Sequence, residues 1–148
     1  MQIQALTKQK LDDYAALMAE VYSGDSWNQN WSHESAKKLL GELIDMPRFV
    51  GFEATDGGIL IGCALCREKT WWTQDELFIE ELFIRRSAQR KGWGTALLDF
   101  LEQYARKNNL AGITLLTDKN MPALKFYKKN GFSQAGHVTF MYRESSID

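Results

Sequence analysis

Between residues 77 and 106 the sequence passes from strand to helix with almost nothing in between. An apolar run, "LFIEELFIR", is followed by "QRKGWG" and then at once by a helix with Leu97, Leu98, Leu101 and Tyr104 on one face. This commits the middle of the chain to a strand–turn–helix unit. A helix start carries backbone N–H groups without partners and a partial positive charge. Here it is preceded by Arg90 and Lys91 and contains Gly92 and Gly94, which let a ligand approach the backbone. Such a combination suits a phosphate or pyrophosphate. A dinucleotide fingerprint would place a third glycine at position 97, which is Leu97, and a nucleotide P-loop would need Gly-Lys-Ser/Thr, which is absent. Taken alone, the stretch reads equally well as a tight turn with two solvated cations.

The rest of the chain organises around this unit. "IQALT" (3–7) reads as a first strand. Leu11, Tyr14, Leu17, Met18 and Val21 recur at helical spacing, and Ser32 caps a second helix running to about Asp45. Residues 48–55 and 59–69 read as two strands joined by a hairpin turn at Asp56-Gly57-Gly58. "GITLLTD" (112–118) is an almost continuous apolar strand, as expected when both faces are covered. Residues 120–129 form a helix that Asn120 caps and Gly131 ends, and "HVTFMYRE" (137–144) closes the chain as a strand. The order β-α-α-β-β-β-α-β-α-β gives an α/β fold of the α+β kind: one mixed sheet with helices on both faces.

With 148 residues and a net charge of -1, the chain is read as a single domain, 1–148. Near-neutral charge argues against a nucleic-acid partner. No apolar stretch approaches the ~20 residues needed to cross a bilayer. "MQIQ" does not begin a charged-then-apolar leader, so the expected location is the cytoplasm. Cys63 and Cys66 lie on one strand, three residues apart, and should face opposite sides as packing residues. His33 and His137 have no ligand spacing, and no metal is expected.

Two carboxylates, Glu80 and Glu81, interrupt the apolar run before the glycines. Neighbours on a strand face opposite sides, so at least one points toward a sheet face, where burial can tune its pKa. Downstream, "NMPALKFYKKNGF" places Tyr127 near the end of its helix. On its own, each of these also has an ordinary packing or surface explanation.

Together they resemble the GNAT superfamily of acyl-CoA-dependent N-acetyltransferases. One signature is Gln89-x-x-Gly92-x-Gly94; the second is Asn120, Ala123, Phe126-Tyr127 and Gly131-Phe132. The resemblance follows the order of elements over nearly the whole chain, although residues 1 to about 45 match only in helical pattern. It implies acetyl-CoA as co-substrate, with the pyrophosphate on the amides of residues 90 to 95. Gln89, Arg90, Lys91, Gly92, Trp93, Gly94 and Thr95 would form that loop. Leu82, Phe83 and Ile84 would run along the pantetheine arm, held from the other side by Asn120 and Phe126. Glu80 or Glu81 would help deprotonate the amine, with a slight preference for Glu80 as base and Glu81 as acceptor contact. Tyr127 would protonate the departing thiolate. A backbone N–H near Leu82 would steady the oxyanion.

Four tryptophans, Trp27, Trp31, Trp71 and Trp72, lie in two loops that border the acceptor cleft in that architecture. Aromatic faces beside acids suit a small cationic amine. The same tryptophans could instead staple loops to the core or meet a second copy in a homodimer. Asp25, Asp75 and Glu76 are further acceptor contacts or solvated acids. The competing readings are a non-catalytic acyl-CoA sensor and a protein-interaction module.

Overall fold

The computed structural model describes residues 1–23 and 29–145. Its elements are β1 (Gln2–Ala5), α1 (Leu11–Tyr22), α2 (His33–Ile44), β2 (Phe49–Asp56), β3 (Ile59–Lys69), β4 (Glu76–Ile84), α3 (Trp93–Lys107), β5 (Ile113–Leu115) and α4 (Pro122–Lys129). The five strands form one sheet in the order β1-β2-β3-β4-β5. Every neighbouring pair is antiparallel except β4 and β5, which are parallel.

Local chemistry accounts for the element ends. Asp12 and Asp13 sit in the first turn of α1, where acids oppose the helix dipole. Ser32 caps α2 through a reciprocal pair with Ser35, as its position in the sequence suggests. Arg106 and Lys107 occupy the last turn of α3.

Helices cover both faces of the sheet. On one, α1 and α2 bury Tyr14, Leu17, Met18 and Leu40 against Cys63, Leu65 and Phe83. On the other, α3 and α4 bury Leu97, Leu98, Leu101 and Tyr127 against Ala64, Cys66, Leu77 and Ile79. Cys63 and Cys66 are thus free thiols in separate cores, one on each face.

A polar network ties the first helix to the sheet. The carboxylate of Glu53, fully buried on β2, accepts hydrogen bonds from Gln4 (2.6 Å), Lys10 (2.8 and 3.0 Å) and the Tyr14 hydroxyl (2.6 Å). Burial alone would raise this carboxyl, but the bonds from Lys10, Tyr14 and Gln4 together outweigh it and hold it below its ordinary range. Stability from this network is therefore complete at neutral pH and is lost as pH falls through the folded-state value. Glu53→Ala strands the buried Tyr14 hydroxyl and is expected to cost about 3 kcal/mol at pH 7. Urea unfolding at pH 7 and pH 3 checks this: the gap between wild type and variant should narrow in acid.

Three sequence expectations change. The strand expected over 112–118 shortens to Ile113–Leu115, because pairing with β4 ends at Ile79 and Leu115; Leu116 is exposed. The last helix starts at Pro122, not Asn120. Proline drives the residue before it out of the helical region, and Met121 is extended at φ -105, ψ 156. The closing strand over 137–144 does not form: Val138, Phe140, Met141 and Tyr142 lie exposed in irregular chain. A strand exists by pairing, and the three-residue β5 offers too short an edge for a segment of that length.

Candidate functional site

The site begins where β4 and β5 part. Their register stops at Ile79 and Leu115, so residues 81–84 pair with β3 alone among the described residues. In a strand, a residue's N–H and C=O point the same way. The Leu82 carbonyl accepts from the Tyr22 hydroxyl (3.4 Å) and the Ile84 carbonyl accepts from Gln89 Nε2 (2.9 Å). Leu82 and Ile84 therefore turn their backbone away from β3 and toward the opening, while Phe83 is buried beneath α1. Gln89 closes back onto the strand and fixes the start of the following loop.

That loop leads straight to the helix start. Arg90 (φ 63) and Gly92 (φ 88) both lie in the left-handed region. Gly92 meets no atom within 4 Å of an added Cβ, so its backbone conformation, not crowding, calls for glycine. The first intrahelical bond of α3 runs from the Ala96 N–H to the Gly92 carbonyl (3.0 Å). The N–H groups of Trp93, Gly94 and Thr95 therefore have no acceptor within the helix. There is no acidic residue in that first turn, and Arg90, Lys91 and Thr95 are exposed. Gly94 serves another purpose: a Cβ there would stand 2.8 Å from the Phe126 ring, so it lets α4 pack closely on α3.

A β-bulge sets the carboxylates. Cys66 pairs with Ile79 and Leu65 pairs with Glu81, which leaves Glu80 as an extra residue. The bulge breaks the expected alternation. Glu81 meets the Tyr22 hydroxyl of α1 at 3.1 Å, and Glu80 accepts from Arg67 Nε at 2.9 Å. Burial raises the Glu81 carboxyl to about 7; the Tyr22 hydrogen bond opposes the rise and the charge of Glu80 adds to it. Tyr22 is itself pushed well up by burial and by the Glu81 charge.

Tyr127 approaches from the other face of the sheet. Its ring is buried, edge-on to Phe126 (centroids 5.2 Å apart) and Phe132 (5.4 Å). Burial, with the charges of Glu81 and Cys66, raises its hydroxyl to about 12, so it stays protonated at neutral pH. A half-buried acid raised toward neutrality and a buried protonated tyrosine thus flank a strand edge free of β5 that continues into an amide-rich helix start. That arrangement can accept a proton, donate a proton and hold an anion.

Other expected residues lie elsewhere. Asn120 is exposed in the turn before α4, its backbone N–H bonded to Asp118 Oδ1 (2.8 Å). It does not cap α4, which begins at Pro122, so it does not lie on the helix that carries Tyr127. Trp31 packs partly against the α1–α2 core and donates to Gln29. Trp71 and Trp72 are exposed in the loop before β4. Asp75 is taken up by Arg48 (2.7 Å), and Glu76 opens β4. Trp27 and Asp25 lie outside the described residues. Sequence reasoning missed Tyr22 and Arg67, the partners of the two acids. Tyr22 could have been found, since it continues the apolar stripe of α1 four residues past Met18.

The sequence profile of the acetyltransferase (GNAT) family matches residues 15–132. Streptothricin acetyltransferase A of Bacillus subtilis (strain 168) is 35% identical over 65 residues, which cover 43% of this chain and 38% of that protein. The match thus spans well under half the length of that relative. A probable acetyltransferase of known structure superposes with a TM-score of 0.80 at 20% identity, covering 100% of both chains. An aminoglycoside N-acetyltransferase solved in complex with CoA gives 0.75 at 17% identity, covering 97% of this chain and 95% of the other. At these identities the structural likeness concerns the fold. No helix among the described residues is long and apolar enough to cross a membrane.

Proposed function

The chain belongs to the GNAT acetyltransferase family, and on that premise we propose that it moves an acetyl group from acetyl-CoA to a primary amine by direct attack in a ternary complex. The observation that carries this is the placement of half-buried Glu81 and buried Tyr127 near the open edge of β4, close enough for the Glu81 charge to act on the Tyr127 hydroxyl. The exposed Arg90 and Lys91, with the free amides of residues 93–95, supply a field and donors for the pyrophosphate of the co-substrate. Leu82 and Ile84 offer backbone groups to its pantetheine arm, and Phe83 and Phe126 are core residues that fix the walls.

An alkylamine is an ammonium at neutral pH, with a pKa near ~10 by analogy with lysine. It has no lone pair until a proton leaves. Glu81 suits that task better than Glu80, because burial brings its carboxyl to about 7 while Glu80 is held by Arg67. The amine nitrogen then bonds the thioester carbonyl carbon, and a backbone N–H of the β4 edge steadies the oxyanion. As the carbon–sulfur bond breaks, Tyr127 gives its proton to the leaving sulfur. No covalent intermediate on the protein is involved; burial raises both cysteine thiols and keeps them inert.

The test is a panel of amines with acetyl-CoA, following free thiol. Thiol release with at least one amine, and acetylation of that amine, is the expected result. CoA binding without thiol release across the panel would contradict it and favour a sensor.

A further inference from the structure

The sheet face beneath α1 and α2 carries two cations that acetyl transfer as described does not use. Arg67 and Lys69 alternate with Leu65, which lies in the core on that face. Arg67 holds its guanidinium carbon 5.4 Å from the centre of the Phe78 ring. Lys69 Nζ stands 5.2 Å from the Trp71 ring centre and 5.5 Å from that of Phe78. Phe78 and Trp71 are therefore each already faced by one of the protein's own cations. Glu80 is likewise answered, by Arg67 Nε at 2.9 Å. An acceptor with several positive charges would meet like charge at Phe78, Trp71 and Glu80.

The same cations have donors to spare. Arg67 uses only Nε, so its two terminal nitrogens bond no described residue, and no described carboxylate lies within ion-pair distance of Lys69. Both line an open cavity of about 380 Å³ together with Met46, Pro47, Arg48, Glu68 and Thr70; the Glu68 carboxylate there accepts from the Tyr104 hydroxyl at 3.0 Å and lies 3.6 Å from Arg48. Arg48 is occupied by Asp75 and Thr70. Arg67 is level with Phe78, and Glu81 with Leu65, two residues further along β3. That is ~7 Å along the strand, a span that one small molecule bridges.

We infer that the acceptor is a zwitterion: a small amine carrying a carboxylate, which Arg67 and Lys69 hold while the amine meets Glu81. A guanidinium fork is shaped for a carboxylate. The inference rests on the acetyl-transfer reading above.

Matched acceptors test it: phenylalanine against phenethylamine, ornithine against putrescine, and 4-aminobutyrate against butylamine, with an aminoglycoside as polycation. The carboxylate-bearing member of at least one pair should show a kcat/KM ~10–100-fold above its partner. Lys69→Gln and Arg67→Gln should each shrink that ratio toward one, chiefly through KM. Lys69→Gln leaves the Arg67–Glu80 pair in place, so a general loss of folding in Arg67→Gln does not decide the matter. Turnover in which the plain amines or the aminoglycoside match or exceed the acids overturns the zwitterion and leaves acetyl transfer standing. Thiol release with no acceptor at all removes both.

Discussion

Taking one oxygen from Tyr127 is expected to lower kcat by ~10²–10⁴-fold and to leave CoA affinity almost unchanged. Tyr127→Phe keeps the ring that packs edge-on to Phe126 and Phe132, so α4 has no reason to move. What it removes is the one proton donor that Tyr127 brings to the opening of β4. A CoA thiolate, with a pKa near ~8.5 by analogy with cysteine, leaves more readily as a proton arrives. Tyr127, raised to about 12 by burial, is protonated at any pH the enzyme would meet. The loss should shrink when the acyl donor carries a thiol that leaves more easily, since it needs less help. Steady-state kinetics with two such donors, and CoA binding by calorimetry, check both halves. A variant that raises only KM for the amine would make the hydroxyl an acceptor contact instead.

The sequence carried the parts of the fold that depend on near neighbours. Helical spacing from Leu11 to Val21, the Ser32 cap, the turn at Gly57-Gly58 and the opposite faces of Cys63 and Cys66 are all local patterns, and all are present. The start of α4 was also local, but the rule that decides it is Pro122 acting on Met121, which outranks Asn120 as a cap. The bulge at Glu80 was not legible. It is a property of how β3 and β4 register, and neither strand announces it alone. The same holds for the partners of the acids: Tyr22 lies 59 residues from Glu81, and Arg67 lies 13 from Glu80. Without those partners the two glutamates look interchangeable. With them, one is a part-exposed ion pair and the other a half-buried acid raised toward neutrality. The closing strand was misjudged because alternation in 137–144 says what could pair, not whether an edge is there to receive it.

Glu81→Gln carries an equally large expected loss, ~10²–10⁴-fold in kcat/KM, because glutamine cannot take a proton. It also carries an opposite effect on stability. Burial raises the folded carboxyl from 4.5 to about 7, so between those values the folded chain holds more protons than the unfolded one. Stability should therefore fall as pH rises through that window, and Glu81→Gln should not share the fall. The variant is expected to be the more stable protein at pH 8 and the far slower enzyme. Glu80→Gln breaks a part-exposed pair with Arg67 and should disturb turnover less. The most direct measurement is kcat/KM against pH from 5 to 9 for wild type, Glu81→Gln and Glu80→Gln, with one amine and saturating acetyl-CoA. If Glu81 is the base, the wild type and Glu80→Gln break near pH 7 and Glu81→Gln loses both the break and the rate. A Glu81→Gln protein that keeps the break and the rate would contradict it.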